Sequence, residues 1–164
     1  MKNLQSGDIL FWGMGVEERG SKHSRINDFY KWLIKISTKS QFTHTGVLVN
    51  INGIYYVYEA VLSGVRKRKL VDGEQFFVVS VDKTITKEGI LYLDSLVGSK
   101  YSKVEAALSV FKVYLPNNKL WYCSELVHSY LNKFVYKNLS ELKTPTKVLS
   151  MLLKRGLSLR LIKF

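Results

Sequence analysis

An Asn-Gly pair at positions 52–53 constrains the fold of this chain most strongly, because it separates two runs of apolar residues. Asn-Gly favours the two-residue turn that joins antiparallel strands. The flanking runs are rich in Val, Ile and Tyr, residue types that pack well in sheets. The pattern therefore predicts a β-hairpin with strands at about 44–50 and 54–60, in which the numbers of paired residues sum to about 105.

Hydrophobic periodicity predicts the remaining elements. Short apolar or alternating segments predict further strands at 9–12, 64–70, 75–81 and, as a closing strand, about 157–161. Helical spacing predicts helices at 25–38, 84–97, 102–114, 123–135 and 145–154, with a polar loop at 13–24. The chain has 164 residues and no internal repeat or linker. We therefore expect one α+β domain, 1–164, in which a small antiparallel sheet packs against helices.

The net charge of +12 is compatible with contact to an anionic polymer such as a cell wall, through a basic surface. The densest basic run, Arg66 to Lys69, is short and predicts a solvated strand end. No segment approaches the roughly 20 apolar residues that span a bilayer, and the run at 9–12 is too short for a signal peptide. The expectation is a soluble protein, cytoplasmic where it is made, or a phage-encoded one that is delivered or released.

The inventory of reactive side chains is small, with one cysteine and three histidines. A thiol nucleophile needs a base within hydrogen-bond reach, since the thiolate attacks. His128 follows Cys123 by five residues on one helix, so the two side chains would point about 140° apart. His23 lies in the polar loop, which would hold its geometry poorly. His44, at the start of an apolar strand, is the best candidate for the base.

Glu59 lies across the predicted hairpin from the His44 region, and a carboxylate there would fix the tautomer of the imidazole. Cys123 begins a predicted helix, where the helix dipole favours a thiolate and its own N–H can help to form an oxyanion hole. These residues are a candidate catalytic triad. The competing interpretation is a polar pair at a sheet end, with Cys123 as a small buried core residue.

Aromatic residues next to the candidate triad are predicted to contact substrate. Trp121 and Tyr122 precede Cys123 and could wall a cleft, and Trp12 ends the first strand. For Tyr122, a role as an oxyanion donor and simple packing are equally plausible. No metal or cofactor is expected, because the spacing of the cysteine and the three histidines matches no structural zinc pattern.

The order of these motifs resembles the circularly permuted papain-like amidases, the YaeF/YiiX branch of the NlpC-like superfamily. The resemblance covers roughly residues 4–150. The matching segments are Gly7–Phe11, His44–Val49, Tyr58–Ala60 with Gly64-Val65, Gly98 with Tyr101, Tyr122–Leu126, and Pro145. In this branch the histidine precedes the cysteine in the chain, as it does here.

The resemblance implies a papain-like fold and a thiol hydrolase that cleaves an amide bond through a thioester, with a peptidoglycan peptide as the first substrate to consider. It carries the triad over to Cys123, His44 and Glu59, and it assigns Glu125 a structural role. Two alternatives stay open: a lipid acyl hydrolase or acyltransferase on the same triad, and a non-enzymatic binding or structural module that uses the basic surface. The helical stretch before His44 and the basic character depart from the family pattern, and both leave the choice of substrate open. The sequence does not determine the oligomeric state.

Overall fold

A computed structural model describes residues 4–13, 42–100, 121–140 and 144–164. The predicted helices at 25–38 and 102–114, and nearly all of the predicted loop at 13–24, lie outside these ranges.

The described residues form six strands in one antiparallel sheet with the order β4-β3-β2-β1-β5-β6. The strands are β1 (Ile9–Gly13), β2 (Phe42–Ile51), β3 (Ile54–Val61), β4 (Gly64–Lys69), β5 (Gln75–Val79) and β6 (Leu159–Lys163). Each strand that the periodicity predicted within the described ranges is therefore present, including the closing strand. The α+β class and the small antiparallel sheet are confirmed.

The hairpin between β2 and β3 has the predicted register, since Ile51 pairs with Ile54 and Gly46 pairs with Glu59. Asn52 and Gly53 both have positive φ, at 53° and 81°. Two consecutive residues with positive φ are what a type I′ turn requires, and its twist matches the twist of the strands. The turn thus sets the register along the whole hairpin, including the segment that carries His44.

The described helices are α1 (Lys87–Leu96), α2 (Cys123–Tyr130) and α3 (Pro145–Lys154). The hydroxyl of Thr86 accepts a hydrogen bond from the Gly89 N–H at 3.3 Å, so Thr86 caps α1. This cap explains why α1 begins three residues later than the periodicity predicted. Thr144 caps α3 in the same way, with Pro145 in the first turn as expected. None of the helices in the described ranges has the length and apolar character that a bilayer crossing requires.

The predicted helix at 123–135 is continuous but changes its winding. After Tyr130 the chain continues as a π-helical turn over Leu131–Val135, closed by a 2.7 Å hydrogen bond from the Tyr136 N–H to the Leu131 carbonyl. In this turn the ring of Phe134 lies 5.4 Å from that of Tyr92 and 6.1 Å from that of Tyr130, measured between centroids. The wider turn accompanies an aromatic contact between α1 and the π-helical turn itself.

Apolar residues are buried on both faces of the sheet. The larger cluster lies between one face and the helices, and it includes Val47, Val49, Tyr58, Leu93, Leu126, Tyr130 and Leu152. The smaller cluster contains no residue of the three described helices, and it consists of Leu10, Trp12, Leu48, Val57, Leu70, Phe76 and Val78. Because side chains alternate along a strand, His44 and Glu59 share the face of this smaller cluster.

Candidate active site

Cys123 is the first residue of α2 and is 7% exposed. Tyr122 precedes it in extended conformation at the N-cap position, and its side chain makes no capping hydrogen bond. The N–H groups of the first helical turn have no partner within the helix, which makes a helix start a place for an anion. Cys123 therefore lies where the backbone favours negative charge, and its side chain interacts with the imidazole of His44.

His44 is the third residue of β2 and links Cys123 to Glu59. Its Nε2 lies 2.7 Å from Oε2 of Glu59, and its side chain is 13% exposed. Because Nε2 is bonded to the carboxylate, Nδ1 is the ring nitrogen that remains for the thiol. The structure thus brings the sequence-predicted residues Cys123, His44 and Glu59 together, with His44 between the other two.

Gly46 makes the contact between His44 and Glu59 possible. Glu59 pairs directly with Gly46, so the bond to His44 runs diagonally, two residues along the same face. A Cβ atom on Gly46 would lie 2.9 Å from the Tyr58 carbonyl and 2.9 Å from a methyl group of Val57. Glycine therefore leaves open the space beside the Glu59 side chain.

Glu59 is fully buried and bonded on both carboxylate oxygens. Its Oε1 accepts from Nη2 of Arg66 at 2.7 Å and from Nε of Arg68 at 2.8 Å, while Oε2 contacts His44. Burial alone would raise the pKa of Glu59, but the hydrogen bond and charge of His44, together with Arg68 and Arg66, hold that pKa well below its usual range. Glu59 is therefore a carboxylate at every pH at which the protein is expected to work.

The environment of His44 favours its charged form. Burial by itself lowers the pKa of His44, but the hydrogen bonds and charges of Cys123 and Glu59 outweigh it and raise the pKa to about 10. At neutral pH the imidazole is therefore protonated, with a thiol group on one side and a carboxylate on the other. A charged imidazole beside a cysteine is the arrangement found in reactive Cys–His sites.

The raised pKa predicts how His44 titrates. The protonated form is favoured by folding, so its contribution to stability is complete below pH 6.5 and is lost as the pH rises through about 10. In ¹⁵N NMR spectra the imidazole of His44 should stay charged until about pH 10. In Cys123→Ala its midpoint should fall by about 1–3 pH units, because one negative neighbour is lost. An unchanged midpoint in that variant would contradict the Cys123–His44 contact.

The prediction that Arg66–Lys69 is a solvated strand end is wrong for Arg68, whose side chain is 16% exposed, whereas the side chain of Arg66 is 37% exposed. Val57 pairs with Arg68 and Glu59 with Arg66, so both arginines lie on the face of Glu59, whereas the lysines point to the other face. Arg68 also holds Glu74, with Nη1 at 2.9 Å and Nη2 at 2.7 Å from its carboxylate oxygens. One feature of the sequence could have indicated these contacts. Arg66 and Arg68 are two residues apart, so on a strand next to that of Glu59 both would face the same side of the sheet.

Trp12 packs beside His44. It is 2% exposed, its ring centroid lies 5.3 Å from that of His44, and its indole N–H donates to Glu74 at 3.1 Å. Trp12 therefore contacts the imidazole directly, and its contact with substrate stays a prediction.

Among the other candidate residues, Tyr122 and Trp121 directly precede Cys123 in the chain. Tyr122 is 8% exposed, and half-buried Trp121 packs against the larger apolar cluster. Their contact with substrate stays a prediction. His128 lies on the same helix as Cys123, and its Nε2 is buried without a hydrogen-bond partner among the described residues. His23 lies outside the described residues.

Within the described ranges, no group of three or more His, Cys, Asp or Glu side chains is arranged to hold a metal ion. Both oxygens of Glu59 and one nitrogen of His44 are occupied by protein partners. A metal at this position would have to displace those partners.

No family model matches this chain, and no curated protein is significantly similar to it. Among solved structures, the chain is similar to the crystal structure of the metalloprotein yiiX (DUF1105) from Escherichia coli O157:H7, with a TM-score of 0.52 and 22% sequence identity. The match covers 92% of this chain and 81% of that one. At this identity the similarity establishes a shared fold, and it supports the resemblance to the YiiX branch at the level of fold.

Proposed function

We propose that the protein is a thiol hydrolase that cleaves an amide bond through a Cys123–His44–Glu59 triad and a thioester intermediate. The observation that carries the proposal is the position of His44 between two partners. Nε2 lies 2.7 Å from Glu59, and the ring also interacts with the side chain of Cys123 at the start of α2. A buried, unused core cysteine would have no reason to be paired with a charged imidazole.

The first half of the reaction forms the acyl-enzyme. The Cys123 thiolate attacks the amide carbonyl carbon, and the developing oxyanion accepts hydrogen bonds from the Cys123 backbone N–H and from Tyr122. The His44 imidazolium donates its Nδ1 proton to the leaving nitrogen. The C–N bond then breaks, the amine departs and a thioester remains on Cys123.

The second half returns the enzyme to its starting state. Neutral His44 takes a proton from water, and the hydroxide equivalent attacks the thioester carbon. The C–S bond breaks, the carboxylic acid leaves and the thiolate–imidazolium pair is restored. Throughout, Glu59 keeps Nε2 as a proton donor and stabilises the imidazolium.

The first substrate class to test is the amide bond of a peptidoglycan peptide, which is what the resemblance to permuted papain-like amidases implies. The net charge of +12 would favour encounter with an anionic cell-wall polymer, and this attraction should weaken as salt is added. A lipid acyl group attacked by the same triad would pass through the same kind of thioester. The two substrate classes are therefore distinguished by the products that are released.

The proposal uses no metal, although the structurally similar yiiX is described as a metalloprotein. The donor set of the described residues does not suit one, because only the Cys123 sulfur and one nitrogen of His44 would be available together. Two donors are fewer than the three protein ligands that a catalytic zinc site uses.

Alkylation of Cys123 tests the pairing without knowledge of the substrate. At pH 6 an ordinary thiol, with a pKa of about 8.5, is almost wholly protonated and reacts slowly with iodoacetamide. We expect the folded wild-type protein to react about 10–100 times faster than His44→Ala at this pH, because the imidazolium stabilises the thiolate. The rate is measured by intact-protein mass spectrometry, which is unambiguous because Cys123 is the one cysteine of the chain.

His128→Ala is the matched control, since it removes a histidine of the same helix that does not contact the pair; it should react like wild type. Equal rates for wild type and His44→Ala would overturn the proposal. The alternative would then be a binding module that uses the basic surface. Its binding to an anionic polymer should weaken as salt is added and should survive the loss of Cys123.

A further inference from the structure

Five side chains form a closed series of contacts around His44, here called the contact circuit: His44, Glu59, Arg68, Glu74 and Trp12. His44 bonds Glu59 at 2.7 Å, Glu59 bonds Arg68 at 2.8 Å, and Arg68 bonds Glu74 at 2.7 Å. The indole N–H of Trp12 donates to Glu74 at 3.1 Å, and the indole ring packs against the imidazole of His44. The circuit therefore returns to its starting residue.

We propose that Arg68 is a positioning residue that holds the His44 imidazole in its productive orientation through two separate partners. One partner is Glu59, which bonds the edge of the imidazole, and the other is Trp12, whose ring packs beside the imidazole at an interplanar angle of 41°. This inference rests on the proposed function, since it concerns the base of that reaction. Arg68 itself does not contact the thiol or the reacting atoms.

The guanidinium of Arg68 can serve both partners because its nitrogens point in fixed, different directions. Nε donates to Glu59, while Nη1 and Nη2 donate to the two oxygens of Glu74. Its central carbon also lies 5.6 Å from the ring centroid of Trp12. The side chain is 16% exposed, so these contacts are little weakened by solvent.

The two legs of the circuit restrain different motions of the imidazole. The bond to Glu59 limits rotation in the ring plane, and the packing of Trp12 limits tilting out of it. Both Glu59 and Glu74 are fully buried, and Arg68 neutralises part of each charge. Loosening Arg68 should therefore remove the one contact that serves both restraints and leave Glu59 with Arg66 as its remaining arginine partner. A displacement of about 1 Å at a reacting group can cost about 100-fold in rate.

Arg68→Lys tests this inference, because lysine keeps the positive charge but cannot make the forked set of bonds. Lys69→Ala is the control, since Lys69 lies next in the same strand, is exposed and faces away. We expect the rate of Cys123 alkylation at pH 6 to fall about 10-fold or more in Arg68→Lys and to be unchanged in Lys69→Ala. The NMR signal of the His44 Nε2–H, protected by Glu59 in wild type, should broaden or vanish in Arg68→Lys at pH 7.

With a cleaved substrate in hand, kcat should fall while KM stays the same, which separates positioning from substrate binding. Glu74→Gln is the second variant if Arg68→Lys does not fold. Its amide oxygen can still accept a hydrogen bond from Trp12, while the ion pair to Arg68 is lost. The alkylation rate and the Nε2–H signal should change in the same direction as in Arg68→Lys. The inference would be overturned if a folded Arg68→Lys or Glu74→Gln protein were alkylated at the wild-type rate and kept its Nε2–H signal. That result would leave the proposed triad intact. Equal alkylation of wild type and His44→Ala would instead overturn the proposed reaction.

Discussion

Cys123→Ala should lower amide hydrolysis by at least about 1,000-fold, to the background rate. The thiolate is the atom that forms the covalent intermediate, and alanine offers no substitute for it. The assay digests peptidoglycan peptides with wild-type and variant protein and follows the release of new amino groups by mass spectrometry. A short-lived mass increase on Cys123 in wild type, absent from the variant, would identify the thioester.

The matched control for this prediction is His128→Gln, which alters another polar side chain of α2 and should retain nearly full activity. Hydrolysis by Cys123→Ala at the wild-type rate would contradict a covalent mechanism. If peptides are not cleaved, the same pair of proteins is incubated with acyl lipids and the products are separated by thin-layer chromatography. Cysteine-dependent release of fatty acid would assign the triad to lipid chemistry.

Glu59→Ala should lower the free energy of unfolding by about 3–5 kcal/mol, which is the usual cost of removing one member of a buried ion pair. Glu59 is fully buried and pairs with Arg66, Arg68 and His44. Without its carboxylate these cations lose the buried negative charge that they share. The measurement is urea unfolding at pH 7, followed by circular dichroism.

Lys67→Ala is the control on the same strand, because Lys67 faces the other side and pairs with Asp94, whose side chain is 42% exposed. It should cost at most about 1 kcal/mol. The lowered pKa of Glu59 adds a pH dependence of known sign: its contribution is complete above about pH 4.5 and is lost as the pH falls below that value. Equal losses in the two variants at pH 7 would show that the Glu59 cluster does not stabilise the fold.

The contact between His44 and Glu59 could be predicted from the sequence because a local signal determines it. Asn52-Gly53 specifies a two-residue turn, the turn sets the pairing, and the pairing brings residue 59 to the His44 region. The helix that begins at Cys123 was likewise visible in its apolar spacing. The diagonal form of the contact depends on Gly46, whose significance appears only when its neighbours are known.

The contacts of Arg68 and Trp12 could not be predicted, because they depend on pairing between strands distant in the chain. Glu74 meets Trp12 across 62 positions, which follows from the pairing of β1 with β5. Nothing near Glu74 in the sequence indicates that it is buried, so the basic run at Arg66–Lys69 resembled any solvated strand end. The π-helical turn after Tyr130 also has no local signal, since it accompanies packing against α1.

The contact circuit also bears on how the sheet assembles. Its residues come from β1, β2, β3 and β4 and from the position just before β5, so five consecutive segments of the sheet each contribute one side chain. Shifting any one strand by a single residue would turn its side chain to the opposite face. For the charged members, such a slip leaves a carboxylate or a cation buried without its partner, at about 3–5 kcal/mol. Mispaired sheets are thereby penalised during folding, and the same charges that orient the imidazole select the native strand alignment.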